Sequence, residues 1–185
     1  AGVQSPRIYI YDGLKISRGE SPEYIRTHAD YGTGFNTKVA VVREFKNSEE
    51  NHLGIPLPKG RLRFYKQDTD GQIEFTGENE IDHTPKNEII RVYTGNAFDL
   101  VGERRRLTWT LTPNSANESF EITLRNRKKE PVEIRVVEHL YRWINWEIKE
   151  SSDPYVKTEA QTVEFRVKVK PDEEKTVTYT VHYWW

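Results

Sequence analysis

Gln161 to Trp185 reads QTVEFRVKVKPDEEKTVTYTVHYWW. Val163, Phe165, Val167 and Val169 alternate with Glu164, Arg166, Lys168 and Lys170. A polar turn from Pro171 to Lys175 follows, and then Val177, Tyr179, Val181 and Tyr183 alternate with Thr178, Thr180 and His182. Successive residues of a strand point to opposite faces, so each run predicts a strand with one buried face. Two such runs around a short polar turn read as a β-hairpin. Trp185 falls in phase with the Val and Tyr row, and Trp184 with the Thr and His row.

The same period recurs upstream. Arg7 to Tyr11, Thr37 to Lys46, Arg61 to Lys66, Gln72 to Thr76, Glu88 to Tyr93 and Phe98 to Leu111 each predict a strand. So do the Phe120, Ile122 and Leu124 row, Val132 to Leu140, and Trp146 to Lys149. Val39 to Val42 is continuously apolar, which predicts a strand covered on both faces. Ser21-Pro22 opens the one helical turn, ending near Thr27, with Ser21 as N-cap and Pro22 at the first helical position. Asn47 to Gly60 is a connection punctuated by Gly54, Pro56 and Pro58. About ten or eleven short strands and almost no helix predict an all-β antiparallel sandwich, with an immunoglobulin-like C-terminal part. Gly95 to Phe98 divides the chain into an N-terminal β-lobe over 1–96 and a C-terminal sandwich over 97–185. One continuous sandwich is the alternative.

Composition narrows the function classes. The 185 residues are 35% hydrophobic, 31% charged and 12% aromatic, which suits a folded domain with a wet surface. A net charge of −1 leaves no basic excess for phosphates, so nucleic acid is not an expected partner. Within that balance, Arg104-Arg105-Arg106 reads as the solvated start of a strand. No membrane-inserting stretch is present. With no Cys in the chain, disulfides, thiolate catalysis and Cys-ligated zinc are excluded. The lack of Cys and Met beside abundant charge points to a thermostable protein. The start at Ala1-Gly2-Val3 reads as a processed or excised fragment.

Candidate chemistry is sparse. Asp68-Thr69-Asp70-Gly71 resembles the opening of a calcium loop, but the twelfth position is Asn79, and Asp-Gly between two strands makes a tight turn. The five histidines show no helical metal spacing, so neither a metal nor a cofactor is expected. Asp82 to Pro85 reads as a turn capped by the Asp side chain. Glu138 interrupts the apolar face of Val132, Ile134, Val136 and Leu140. It is either a general acid with a raised pKa, or a structural carboxylate at a strand end or paired with Arg142. Glycoside hydrolysis needs a second carboxylate; Asp153 and Glu147 are near in sequence, but nothing in the sequence brings them together with Glu138. Tyr141, Trp143, Trp146 and Trp184 are the candidate ligand-binding residues, because exposed rings on a sandwich stack on sugars or anchor a protein.

Several segments together carry a resemblance. They are Glu44 to Asn47, Leu53 to Gly60, Ile81 to Lys86, Phe98 to Arg104, Leu124 to Lys128, Val136 to Leu140 and Val177 to Val181. In order and spacing they resemble a bacterial domain family of unknown function that forms the C-terminal region of mucoidy-inhibitor-A-like proteins. The resemblance spans most of the chain from about Lys38. It implies a β-sandwich behind a helical or coiled-coil region in a larger envelope-associated protein, and it brings no catalytic residues. The expected function is a non-catalytic interaction or scaffolding module with a protein or polysaccharide partner, in the cell envelope or outside it. The alternatives are a carbohydrate-binding accessory domain and a glycan-active enzyme using Glu138. Nothing in the sequence sets an oligomeric state.

Overall fold

The computed structural model describes residues 3–67 and 70–185. In chain order its elements begin with β1 (Arg7–Asp12), β2 (Leu14–Lys15), α1 (Pro22–Thr27), β3 (Gly34–Phe35) and β4 (Lys38–Lys46). A 3-10 turn (Glu49–Asn51) leads to β5 (Gly60–Gln67), β6 (Ile73–Ile81), β7 (Ile89–Thr112) and β8 (Ser115–Asn126). The chain closes with β9 (Val132–His139), β10 (Trp146–Ser151), β11 (Tyr155–Glu159), β12 (Thr162–Val169) and β13 (Glu174–Trp184). Strand takes 61% and helix 5%, so the fold is all-β, as the alternation predicts. Ser21 caps α1, its hydroxyl accepting from the Tyr24 amide at 3.2 Å. No helix among the described residues is long and apolar enough to cross a membrane.

The chain falls into two compact units. One comprises the N-terminal segment through Tyr9 with Ala40–Asn96, and the other Ile10–Val39 with Ala97–Trp185. The switch at Asn96 lies inside β7, which runs unbroken through Gly95 at φ +133. The two strands expected over 88–93 and 98–111 are therefore one. Glycine tolerates that dihedral without the clash a Cβ would bring, so the strand runs on through it.

Nine strands pair in the order β10-β13-β8-β7-β4-β1-β9-β12-β11, and the strands at both ends of that order, β10, β13 and β8 with β9, β12 and β11, belong to the second unit. The ends of this sheet face each other, giving a sandwich-like core. Phe165 of β12 lies 5.7 Å from Tyr179 of β13, which lies 5.4 Å from Phe120 of β8. Val163, Phe165, Val167, Val177, Val181 and Tyr183 are wholly buried. Each such side chain stabilises by about 1.5–3 kcal/mol.

The pairing overturns the expected closing hairpin. β12 pairs with β9 and β11, while β13 pairs with β8 and β10. The turn after Val169 carries the chain across the core, so the two apolar rows meet face to face. Alternation reports which face is buried, not which strand lies alongside. Asn126 holds this crossing in place. Its amide donates to the carbonyls of Glu130, Val169 and Lys170 at 2.9, 3.1 and 3.0 Å, and its side-chain oxygen accepts from the Lys128 amide.

The first unit has a smaller core. Phe45, Ile90 and Val92 are buried, with Leu53, Leu57, Leu62, Phe64 and Ile81 against them. β5 and β6 pair antiparallel; Asp68 and Thr69 of the expected Asp-Gly turn lie outside the described residues. Asn47, wholly buried, fixes the Pro-rich connection. Its amide donates to Ile55 and Pro85 carbonyls at 2.8 and 2.9 Å, and its oxygen accepts from the Gly54 amide at 3.0 Å. Asp82 caps its own turn, accepting from the His83 amide at 2.9 Å.

Candidate functional site

The four ring residues singled out from the sequence meet four different surroundings. Tyr141 is half-buried, and its hydroxyl donates to Glu118 at 3.1 Å. Gly32, at φ +75, makes room for that ring, since a Cβ there would collide with it. Trp143 is half-buried under the Arg26 guanidinium, 4.6 Å from the ring centre, and the same cation lies 5.4 Å from the Trp185 ring. Trp146 donates its indole N–H to the Ala160 carbonyl at 3.0 Å, with Lys157 4.8 Å from its ring. Trp184 is 42% exposed and stacks on His182, ring centres 5.7 Å apart and 19° from parallel. Trp185 leaves the core row it was expected to extend. It lies past the end of β13, half-buried, with its indole N–H donating to the Pro113 carbonyl.

The strongest electrostatics are internal. Glu138 is wholly buried, and Arg104 Nε donates to both of its carboxylate oxygens at 3.1 and 2.9 Å. The Tyr179 hydroxyl adds a third bond at 2.5 Å. The expected partner Arg142 instead meets Glu118, also wholly buried, at 2.8 Å. Two rows in the sandwich interior thus carry one acid each, and each acid takes the guanidinium that faces it. Arg106 approaches Glu118 as well, at 3.4 Å.

The Arg104 to Arg106 run is accordingly not the solvated start of a strand. It lies in the middle of β7, where the period of two turns Arg104 inward and Arg105 outward. Burial alone would lower the pKa of Arg104, but attraction from Glu138 and the neighbouring tyrosines raises it further, keeping the guanidinium charged. Burial and the Glu138 charge push the Tyr179 hydroxyl well above its ordinary range, so it remains a donor. Both guanidinium groups also lie on aromatic faces, Arg104 3.8 Å from Phe120 and Arg142 3.9 Å from Trp109.

These arginines also hold the segment after α1. Arg142 donates to the carbonyls of Ile25, His28 and Tyr31 at 2.7, 3.1 and 2.9 Å. Arg104 donates to Gly32 O at 2.8 Å, and Arg106 to Ala29 O. Carbonyls left over at the end of a short helix are thereby satisfied by side-chain cations. The arrangement binds the chain to itself. Glu138 has no surface open to solvent, and so no approach for a substrate oxygen.

Sequence reasoning missed Glu118, read Arg104 as solvated, and offered Arg142 as a partner for Glu138 where the structure gives it Glu118. The signal was available for Glu118, which is in phase with Ala116, Phe120, Ile122 and Leu124, all wholly buried. The same count had flagged Glu138. Comparison of the chain with protein-family models, with curated proteins and with solved structures gives no match.

Proposed function

We propose that this chain is a non-catalytic interaction module of a larger bacterial protein, with an immunoglobulin-like C-terminal part, as the resemblance to the mucoidy-inhibitor-A-like C-terminal region implies. One observation carries the reading: the two acids best placed for chemistry by burial, Glu138 and Glu118, are each engaged by a guanidinium and a tyrosine hydroxyl. A general acid must meet its substrate and give up a proton. A wholly buried carboxylate held by arginine and tyrosine is out of reach of a substrate. Those contacts support a role for Glu138 in holding the sandwich together.

The test is reducing-end release from soluble neutral and acidic polysaccharides by the full chain. No release above the buffer rate is expected. Release that disappears in Glu138→Gln, with the near-ultraviolet circular dichroism of the parent retained, would overturn the reading.

A further inference from the structure

The outer face of β7, β8, β13 and β10 carries polar side chains in ranks across the strands. Thr108, Ser119, Thr180 and Glu150 share one rank, and Thr110, Asn117, His182 and Glu147 the next. Trp184 stands in a third, beside Ser115. The first rank is knitted by hydroxyl contacts, Thr108 to Ser119 at 2.8 Å and Ser119 to Thr180 at 2.9 Å. In the second, the His182 ring meets the Asn117 amide at 2.9 Å.

Two β-bulges flank the first rank. The register slips between Arg106 and Thr108 in β7, and between Ile148 and Glu150 in β10. Bulges re-aim side chains and bend the strand that holds them. A cleft of about 460 Å³ opens here, lined by Leu107, Thr108, Ser119, Glu150, Thr178 and Thr180, with the buried rings of Phe120 and Tyr179 at its base. Along β13 the same face continues through His182 to the exposed, stacked ring of Trp184. From Thr178 to Trp184 this strip extends about 20 Å at the rise of a strand.

Its chemistry selects the occupant. The neighbouring charges are matched in pairs, Lys149 with Glu147 at 2.6 Å and Arg105 with Glu121 at 2.8 Å. No excess of one sign draws a polyanion or a polycation. What remains is a set of hydroxyls that both donate and accept, an amide, an imidazole, one carboxylate that accepts, and an indole face. A sugar chain offers the complement, with hydroxyls for the ranks and an apolar ring face for the indole. A protein partner would call for a broader apolar centre than the separate exposed side chains of Leu107 and Trp184 supply.

We infer that this face is a binding strip for a neutral polysaccharide, with Trp184 as its stacking platform and the Thr108–Ser119–Thr180–Glu150 rank as its polar floor. The inference rests on the reading of a non-catalytic module and names the class of its partner. It also relocates the site expected from sequence. Of the four rings, Trp184 alone serves this strip, while Tyr141, Trp143 and Trp146 are engaged by Glu118, Arg26 and Ala160.

The experiment titrates the full chain with cellohexaose, xylohexaose, mannohexaose and chitohexaose, read by calorimetry and tryptophan fluorescence. At least one hexasaccharide binds, with an affinity insensitive to salt because no ion pair forms. Trp184→Ala weakens that binding by about tenfold, the scale of a lost ring contact, while Trp184→Phe keeps most of it. Should Trp184→Ala fail to fold, Thr108→Val at an exposed position must weaken binding instead. Silence across all four sugars, or binding unchanged by these variants, overturns the inference and leaves the module reading standing. Hydrolysis of a hexasaccharide that depends on Glu138 would overturn the module reading itself.

Discussion

The two units use the same clasp, but among the described residues the second also buries ion pairs. Asn47 in one and Asn126 in the other are wholly buried residues at or just past a strand end, each binding several loop carbonyls through one amide. Their ion pairs differ. In the first unit, Arg61 and Arg63 meet Glu78 on the exposed side of β5 and β6, at 3.1 and 3.0 Å. In the second, Arg104–Glu138 and Arg142–Glu118 have no exposed side-chain surface at all. Exposed pairs contribute little because water screens them. Buried pairs are paid for in desolvation, so their effect appears mainly when one partner is lost. The comparison separates charge that decorates a fold from charge on which a fold depends.

The largest expected effect breaks the buried pair. Arg104→Leu leaves Glu138 uncompensated and lowers stability by about 3–5 kcal/mol in urea unfolding. Arg104→Leu combined with Glu138→Leu recovers most of that loss. If the double variant is as unstable as the single one, the comparison fails. Asn47→Ala and Asn126→Ala come next. Each strands several buried carbonyls, and each is expected to cost about 1–3 kcal/mol, measured by the same unfolding. A large loss at one position only would show that the clasps are not equivalent.

A smaller effect depends on pH. His139 meets Asp12 at 3.0 Å, and that hydrogen bond, against the opposing effect of burial, raises its pKa. A raised folded pKa makes the contribution full below the unfolded value of about 6.5 and lost as pH climbs through the folded one. With both side chains partly exposed, the gain stays under about 1 kcal/mol. Unfolding midpoints should fall from pH 5.5 to pH 8.5 more in the parent than in His139→Gln. The smallest effect is Arg63→Ala, which is expected to leave the unfolding midpoint unchanged within error. A clear loss there would erase the contrast between exposed and buried pairs.

Local chemistry was readable from the sequence where one segment decides the outcome. Ser21-Pro22 specifies α1, and the alternation of β8, β9, β12 and β13 identifies the buried rows. Partner choice was not readable. The rows at Val163–Val169 and Val177–Tyr183 look the same whether they lie side by side or face each other. The run Arg104 to Arg106 looked solvated because its charge was read without its phase. Counted in twos from Leu100, Arg104 falls on the buried side of β7. The candidate site was less legible still. Trp184 stood out as out of phase with the core, but the rank beside it depends on four strands brought together from distant parts of the chain.

The crossing turn after Val169 has a kinetic consequence. Because β13 does not zip onto β12, it must find β8, formed by residues 115–126, and β10, formed by residues 146–151. Loop closure precedes the reward of those contacts, and folds dominated by distant pairings assemble on the scale of milliseconds to seconds. Until residues 174–184 dock, β8 keeps an open edge, a template for another chain, and β10, which pairs with β13 at the end of the sheet, has no neighbour. The docking of this last strand is therefore the step at which refolding and aggregation are expected to compete.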